Sequence, residues 1–172
     1  NHTATRLRDG RVLVVGGASG DLRLVTAELF DPASDTLRTL SAVLQVARAE
    51  HTATLLADGR VFLHGGLANS LVEAGGTLFD PVDETFTDVG EPSRRTGQAA
   101  VLLADGRVLL AGGSDAYVGD GFARSGWLFD PTTTEIRATL GESKTARGGA
   151  RASRLADGRV LIAGGDQPLG GG

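Results

Sequence analysis

Nine residues repeated four times in phase leave a chain few ways to fold. The repeat is Asp-Gly-Arg-Val, three further residues and a Gly pair. It runs from Asp9 to Gly17, Asp58 to Gly66, Asp105 to Gly113 and Asp157 to Gly165. The four Asp positions stand 49, 47 and 52 residues apart. Asp-Gly is a strong hairpin signal and predicts a type I′ turn, in which both central residues take positive φ. The four residues from Val onward show no polar alternation, the pattern of a strand buried on both faces. The Gly pair ends that strand where a side chain would crowd or the backbone must turn sharply.

Other elements keep the same phase. Before each turn comes a strand of small residues: His2 to Thr5, His51 to Leu56, Gln98 to Leu103 and Ala150 to Ser153. After each of the first three Gly pairs comes a variable loop, then a strand closing in Phe-Asp-Pro: Ala27 to Pro32, Gly76 to Pro81 and Gly126 to Pro131. Pro has a fixed φ and no N–H to donate, so Asp-Pro closes the strand and opens a turn. A short fourth strand follows at Thr36 to Leu40, Thr85 to Val89 and Glu135 to Leu140. Each period is therefore four antiparallel strands. Such a meander cannot bury both faces alone and must stack on copies of itself, which is the logic of a propeller. The small residues of the first strand suit the crowded innermost position around a channel. No helical periodicity of useful length competes with this reading.

Residues 1–172 thus read as one array, with units at about 2–47, 48–94 and 95–146 and a partial unit at 147–172. Three and a half units leave a bare blade face and an unpaired strand edge. The remaining blades are expected from further chain or from self-association. The chain contains no Met and begins inside a repeat, at Asn1-His2-Thr3, as a piece of something longer would.

Composition excludes several functions. A net charge of −4 argues against nucleic acid, whose phosphates demand clustered positive charge. The absence of Cys removes disulfides, Cys-ligated zinc and thiol nucleophiles. No run approaches the length of a membrane span, so membrane insertion is not expected.

The phased pattern His-Thr-Ala-Thr-Leu-Leu, Asp-Gly-Arg-Val and the Gly pair resembles the kelch repeat. It looks most like bacterial kelch repeats, including those in the propellers of galactose-oxidase-like proteins, and the resemblance runs from His2 to Gly165. One departure is that many kelch repeats start the fourth strand with Trp, where Leu37, Phe86 and Ile136 stand here. The resemblance implies an all-β, kelch-type β-propeller segment of about three and a half four-stranded antiparallel blades. The galactose-oxidase-like copper site needs a Cys-crosslinked Tyr, a second Tyr and two His. With no Cys and the single Tyr117, that site does not carry over. Sialic-acid mutarotase activity, known for some kelch propellers, cannot be tied to any residue here. The expectation is a non-catalytic, cofactor-free module, extracellular or at the cell surface, that binds or displays a protein or carbohydrate. Two alternatives stand beside it. One is an enzyme of the galactose-oxidase or mutarotase kind whose catalytic residues lie outside this stretch. The other is a purely architectural part of a surface protein.

Candidate site residues follow from position. His2 and His51 occupy equivalent inner-strand positions, but Gln98 and Ala150 hold the other two, so polar packing is expected rather than a metal site. Asp31, Asp80 and Asp130 precede Pro, where Asp caps a turn by accepting from the backbone two residues on. Arg48, Arg95 and Arg147 each lie three residues before a first strand. Strand polarity puts them on the rim of the variable loops, which in kelch propellers surrounds the channel mouth. Two roles are open to them: carboxylate recognition through bidentate bonds, or struts between blades through backbone carbonyls. The third variable loop is the longest and carries Tyr117, Phe122 and Arg124. The ligand-binding candidates are therefore Arg48, Arg95, Arg147, Tyr117, Phe122 and Arg124, with an acidic ligand favoured at that rim.

Overall fold

The computed structural model describes residues 1–68, 75–90, 95–115 and 121–166, and no helix occurs among them. The first unit holds β1 (Thr3–Arg6), β2 (Val12–Val15), a small hairpin of β3 (Ala18–Ser19) and β4 (Leu22–Arg23), then β5 (Ala27–Asp31) and β6 (Thr36–Thr39). The second holds β7 (Thr52–Leu55), β8 (Val61–His64), β9 (Gly76–Asp80) and β10 (Thr85–Asp88). The third begins with β11 (Arg95–Thr96) and continues through β12 (Ala99–Leu102), β13 (Val108–Ala111), β14 (Ser114–Asp115), β15 (Ser125–Asp130) and β16 (Glu135–Glu142). A fourth contributes β17 (Arg151–Arg154) and β18 (Val160–Ala163). The three full units are antiparallel four-stranded meanders, ordered β1-β2-β5-β6, β7-β8-β9-β10 and β12-β13-β15-β16. The protein is all-β, and its sheets are arranged as the blades of a propeller.

Register repeats as strictly as sequence does. In each of the three full units the Val of Asp-Gly-Arg-Val stands opposite the Phe of Phe-Asp-Pro: Val12 with Phe30, Val61 with Phe79, Val108 with Phe129. The first strands β1, β7, β12 and β17 lie side by side in that order, which puts them innermost. Their small side chains permit this crowding, as expected.

The sheets pack face to face. One apolar cluster joins units one and two: Leu13, Val15 and Leu29 meet Val61, Leu63 and Phe79. A second joins units two and three, where Phe62 and Leu78 meet Val108, Leu110 and Phe129. The Phe62 and Phe129 rings stack with centroids 3.8 Å apart and planes 7° from parallel. All four residues of β8 are buried, because the second blade has a neighbour on each side. In β2 and β13 only alternate residues are fully buried. Of the apolar residues near the start of each fourth strand, Phe86 and Ile136 pack against these clusters, whereas Leu37 is exposed.

The Asp-Gly turn differs from expectation. Leu7 and Arg11 close the hairpin, and Gly10 N–H donates to the Leu7 carbonyl at 3.2 Å. Only Gly10, with φ +96°, is left-handed; Asp9 is not. This is a three-residue loop, a type I turn followed by a glycine bulge, rather than a two-residue type I′ turn. The same hydrogen bonds recur at Leu56, Leu103 and Leu155. The loop leaves Asp9 free to accept from Arg11 N–H at 3.0 Å and from Arg11 Nε at 2.8 Å. Asp58, Asp105 and Asp157 do the same with Arg60, Arg107 and Arg159. Asp31, Asp80 and Asp130 cap their turns as expected, accepting from Ala33, Val82 and Thr132 N–H at 2.8–2.9 Å.

Candidate rim site and channel mouth

The rim begins with the Gly pair. Gly65 and Gly66 both have positive φ, +68° and +104°. A Cβ on Gly65 would overlap the carbonyl oxygen of Arg95 in the next unit, and one on Gly66 would lie 2.6 Å from the Ala49 carbonyl oxygen. Gly65 therefore lets one unit's backbone press against the next, and Gly66 lets the loop before its own inner strand close over it. Gly66 N–H donates to the Arg95 carbonyl at 2.9 Å, Gly17 N–H to Arg48 at 2.8 Å and Gly113 N–H to Arg147 at 2.7 Å. At every seam the phased arginine supplies the acceptor.

The three guanidinium groups then turn into their own units. Arg48 is 1% exposed, with Nη1 donating to the Gly75 carbonyl at 3.1 Å and Nη2 to Thr77 Oγ1 at 3.0 Å. Thr77 Oγ1 in turn donates to Asp88 at 2.9 Å. Burial pulls the Arg48 guanidinium down to about 10, while the Asp88 charge opposes the shift, so it stays protonated at neutral pH. Arg95, also buried, donates to the Ser125 carbonyl at 2.8 Å, to Ser125 Oγ at 2.7 Å and to the Gly112 carbonyl at 3.2 Å. Arg147 is half-buried and donates to the Gly164 carbonyl at 2.9 Å.

The loop candidates lie elsewhere on this rim. Phe122 packs its ring on Gly148, where a Cβ would overlap it, and Ser114 bridges to Phe122. Arg124 is exposed; its Nε donates to the Ser143 carbonyl at 2.9 Å and lies 3.8 Å from Glu142. Tyr117 lies outside the described residues. The fold thus brings Phe122, Arg124 and Arg147 to one stretch of rim, between the third and fourth units. Arg48 and Arg95 belong to the two earlier seams. The loops before the first strands bridge directly to those after the Gly pairs, Ala49 with Leu67 and Gly148 with Asp166, which confirms that both share one rim.

Sequence position alone did not single out the channel mouth as a cavity. The starts of the inner strands surround a cavity of about 450 Å³, lined by His2, Thr3, Glu50, His51, Gln98 and Arg151. Backbone bonds tie its wall across units: Glu50 N–H to the Asn1 carbonyl at 2.9 Å, Gly149 N–H to Gly97 at 2.7 Å. His51 Nε2 is 2.8 Å from Thr3 Oγ1, and Gln98 Nε2 donates to the His64 carbonyl at 2.9 Å. Each bond reaches back to the preceding unit. Burial, with the charge of Arg48 next, pushes both His51 and His64 down to about 3, so both imidazoles are neutral in ordinary buffers. His51 hydrogen-bonds with Thr3 and His64 with Gln98. Among the described residues no cluster of three His, Asp or Glu side chains forms a metal site.

A larger cavity, about 760 Å³, lies on the opposite rim between the Asp58, Asp105 and Asp130 turns. Its acids are already committed. The Arg107 guanidinium and N–H hold Asp105 below the usual carboxylate range, and Thr132 does so for Asp130. Arg60 spans this rim to the Pro131 carbonyl of the next unit at 3.0 Å.

No protein-family model matches the chain, and no curated protein matches it.

Proposed function

We propose that this chain is a segment of a kelch-type β-propeller, of the bacterial kind that resembles the propeller of galactose-oxidase-like proteins. It works as a non-catalytic binding or display module, and holds a protein or carbohydrate at the rim that carries the inner-strand starts. The observation that supports this reading is the channel mouth. Four units contribute polar side chains to one concave site on a rigid backbone frame. His2, Glu50 and Arg151 are exposed there, and among the described residues no hydrogen bond or ion pair occupies their side chains. Donors and acceptors fixed in a concave wall are what recognition of a hydroxyl-rich or peptide surface needs. The exposed Arg124 and the half-buried Arg147 extend the same rim outward.

The test is a glycan array and a displayed peptide library probed with the labelled chain. Each binder is retested against His2→Ala, Arg151→Ala and Arg124→Ala. The expected result is a tenfold or greater loss of binding in at least one mouth variant, with an unchanged urea midpoint. Binders indifferent to all three substitutions, or competed away by changes at the Asp-Gly turns, overturn the rim assignment. A chain that binds nothing on either surface favours the architectural role.

A further inference from the structure

The larger cavity, on the Asp-Gly rim between units two and three, has a counterpart between units one and two. Position by position in the repeat, Ala57 answers to Arg8, Asp105 to Asp58, Gly106 to Gly59 and Asp130 to Asp80. The frame is the same at both seams. Arg11 reaches the Pro81 carbonyl at 3.1 Å and Arg60 the Pro131 carbonyl at 3.0 Å, each in the following unit. What differs is the residue before the Asp. At the first seam it is Arg8, whose Nη2 donates to the Ala57 carbonyl. Its stem crosses Gly59, where a Cβ would lie 3.5 Å from Arg8 Cδ. At the second seam it is Ala57, and a Cβ on Gly106 would meet nothing within 4 Å. Gly59 is accordingly buried, whereas Gly106 is half-exposed. The cavity of about 760 Å³ opens where a copy of Arg8 would run. Its charges suit a cation. Asp58, Asp105 and Asp130 stand against Arg60 and Arg107, which leaves one carboxylate in excess. Each arginine is held by its own Asp, at 2.7 Å and 2.6 Å, and Asp130 accepts from Thr132 alone among the described residues.

We propose that this cavity binds an arginine side chain presented by a partner polypeptide. Its guanidinium donates to the Ala104 carbonyl, as Arg8 donates to the Ala57 carbonyl one unit earlier. Its stem lies over Gly106, as the stem of Arg8 lies over Gly59. Asp105 and Asp130 supply the opposing charge. A planar fork of donors fits this place better than an ammonium does, because the guanidinium can hold a carbonyl and a carboxylate together. Arg8 arrives at its seam on a chain that passes across the rim, and an extended segment of a partner can deliver its arginine in the same way. The site lies between two full units and on the rim opposite the channel mouth, so it stands apart from the binding proposed there.

The probe is the peptide acetyl-Gly-Arg-Gly-amide, titrated into the isotope-labelled chain and read from the amide resonances of Gly106 and Gly59. A saturable shift is expected at Gly106. The same peptide with citrulline, the neutral isostere of arginine, should need about tenfold more to reach it. Ala57→Arg supplies the missing copy of Arg8 and should abolish the response, with the resonances of β8 and β9 in place. Arg8→Ala empties the first seam and should add a second response, at Gly59. Four results overturn the proposal: no shift with the arginine peptide, equal binding of the citrulline peptide, an unaltered response in Ala57→Arg, or no response at Gly59 after Arg8→Ala. Free arginine binding more tightly than the peptide would assign the cavity to a small solute and overturn the partner. Peptide binding should persist in His2→Ala; its loss there would move the site to the channel mouth and overturn the assignment to this rim.

Discussion

A single histidine shows how burial becomes a pH response. His64 is fully buried and neutral, held at about 3 by desolvation with the Arg48 and Arg95 charges adding to it, while an unfolded chain would titrate it near 6.5. Its folded value is depressed, so the unfolded state binds the extra proton as pH falls below about 6.5, and stability is lost from there toward pH 3. The contribution is about 2 kcal/mol per such histidine at pH 5, and His51 follows the same sign. His64→Gln should flatten the fall in urea midpoint between pH 6.5 and 4.5; an unchanged slope would mean the imidazole titrates normally in the fold. Thr134 offers the opposite lever. It is a β-branched residue at φ +57°, at the turn position that Asp35 and Glu84 fill elsewhere. Thr134→Asn should raise stability by about 1 kcal/mol, read as a higher melting temperature. At this scale the sequence disclosed the Asp caps, because Asp two residues before an N–H has one obvious partner. It misassigned the turn around them, because Asp-Gly serves both a type I′ turn and the left-handed end of a three-residue loop. Only pairing register distinguishes the two.

The seams decide the element scale. Phased arginines announced themselves in the chain, but their burial did not, since a guanidinium three residues before a strand can face water or the neighbouring unit. What selects the inward direction is the start of the third strand, where Thr77 and Ser125 offer acceptors. Arg48→Ala should cost about 3 kcal/mol, because it leaves Thr77, Asp88 and a carbonyl facing a hole. Arg147→Ala, with one guanidinium bond among the described residues and partial exposure, should cost about 1 kcal/mol. Equal losses at both positions in urea titrations would contradict this graded reading. Gly65→Ala combines a left-handed backbone with overlap on the Arg95 carbonyl and should cost more than either, or prevent folding. The glycine pairs were legible as sharp turns. That the first glycine in each of the first three pairs is a contact between units was not, because the arginine it touches lies about 30 positions later.

At the scale of the molecule, stability is a sum of unit and seam terms, as in any linear array. The second unit has buried faces on both sides, whereas most of β17 and β18 is exposed or half-exposed. Hydrogen exchange should therefore be slowest in β8 and β9 and fastest in β17 and β18, with a gap of at least tenfold. Uniform protection would mean that the array opens as one body. The blade architecture could be read from the repeat because a period of about fifty residues, two turn signals and two strand patterns admit few alternatives. The channel-mouth cavity could not, because it is assembled from corresponding positions of four units whose residue types differ, as His2, His51 and Gln98 do. The stacked Phe62 and Phe129 rings have one further consequence. Hydrogen bonds fasten neighbouring sheets at both rims, through the Gly pairs at one and Arg11 and Arg60 at the other, so the side chains between the sheets act as a spacer of fixed thickness. The spacing from one blade to the next is then set by side-chain volume as well as by the repeated turns. Trading Phe for Leu between sheets would draw two blades closer while every seam residue stays as it is.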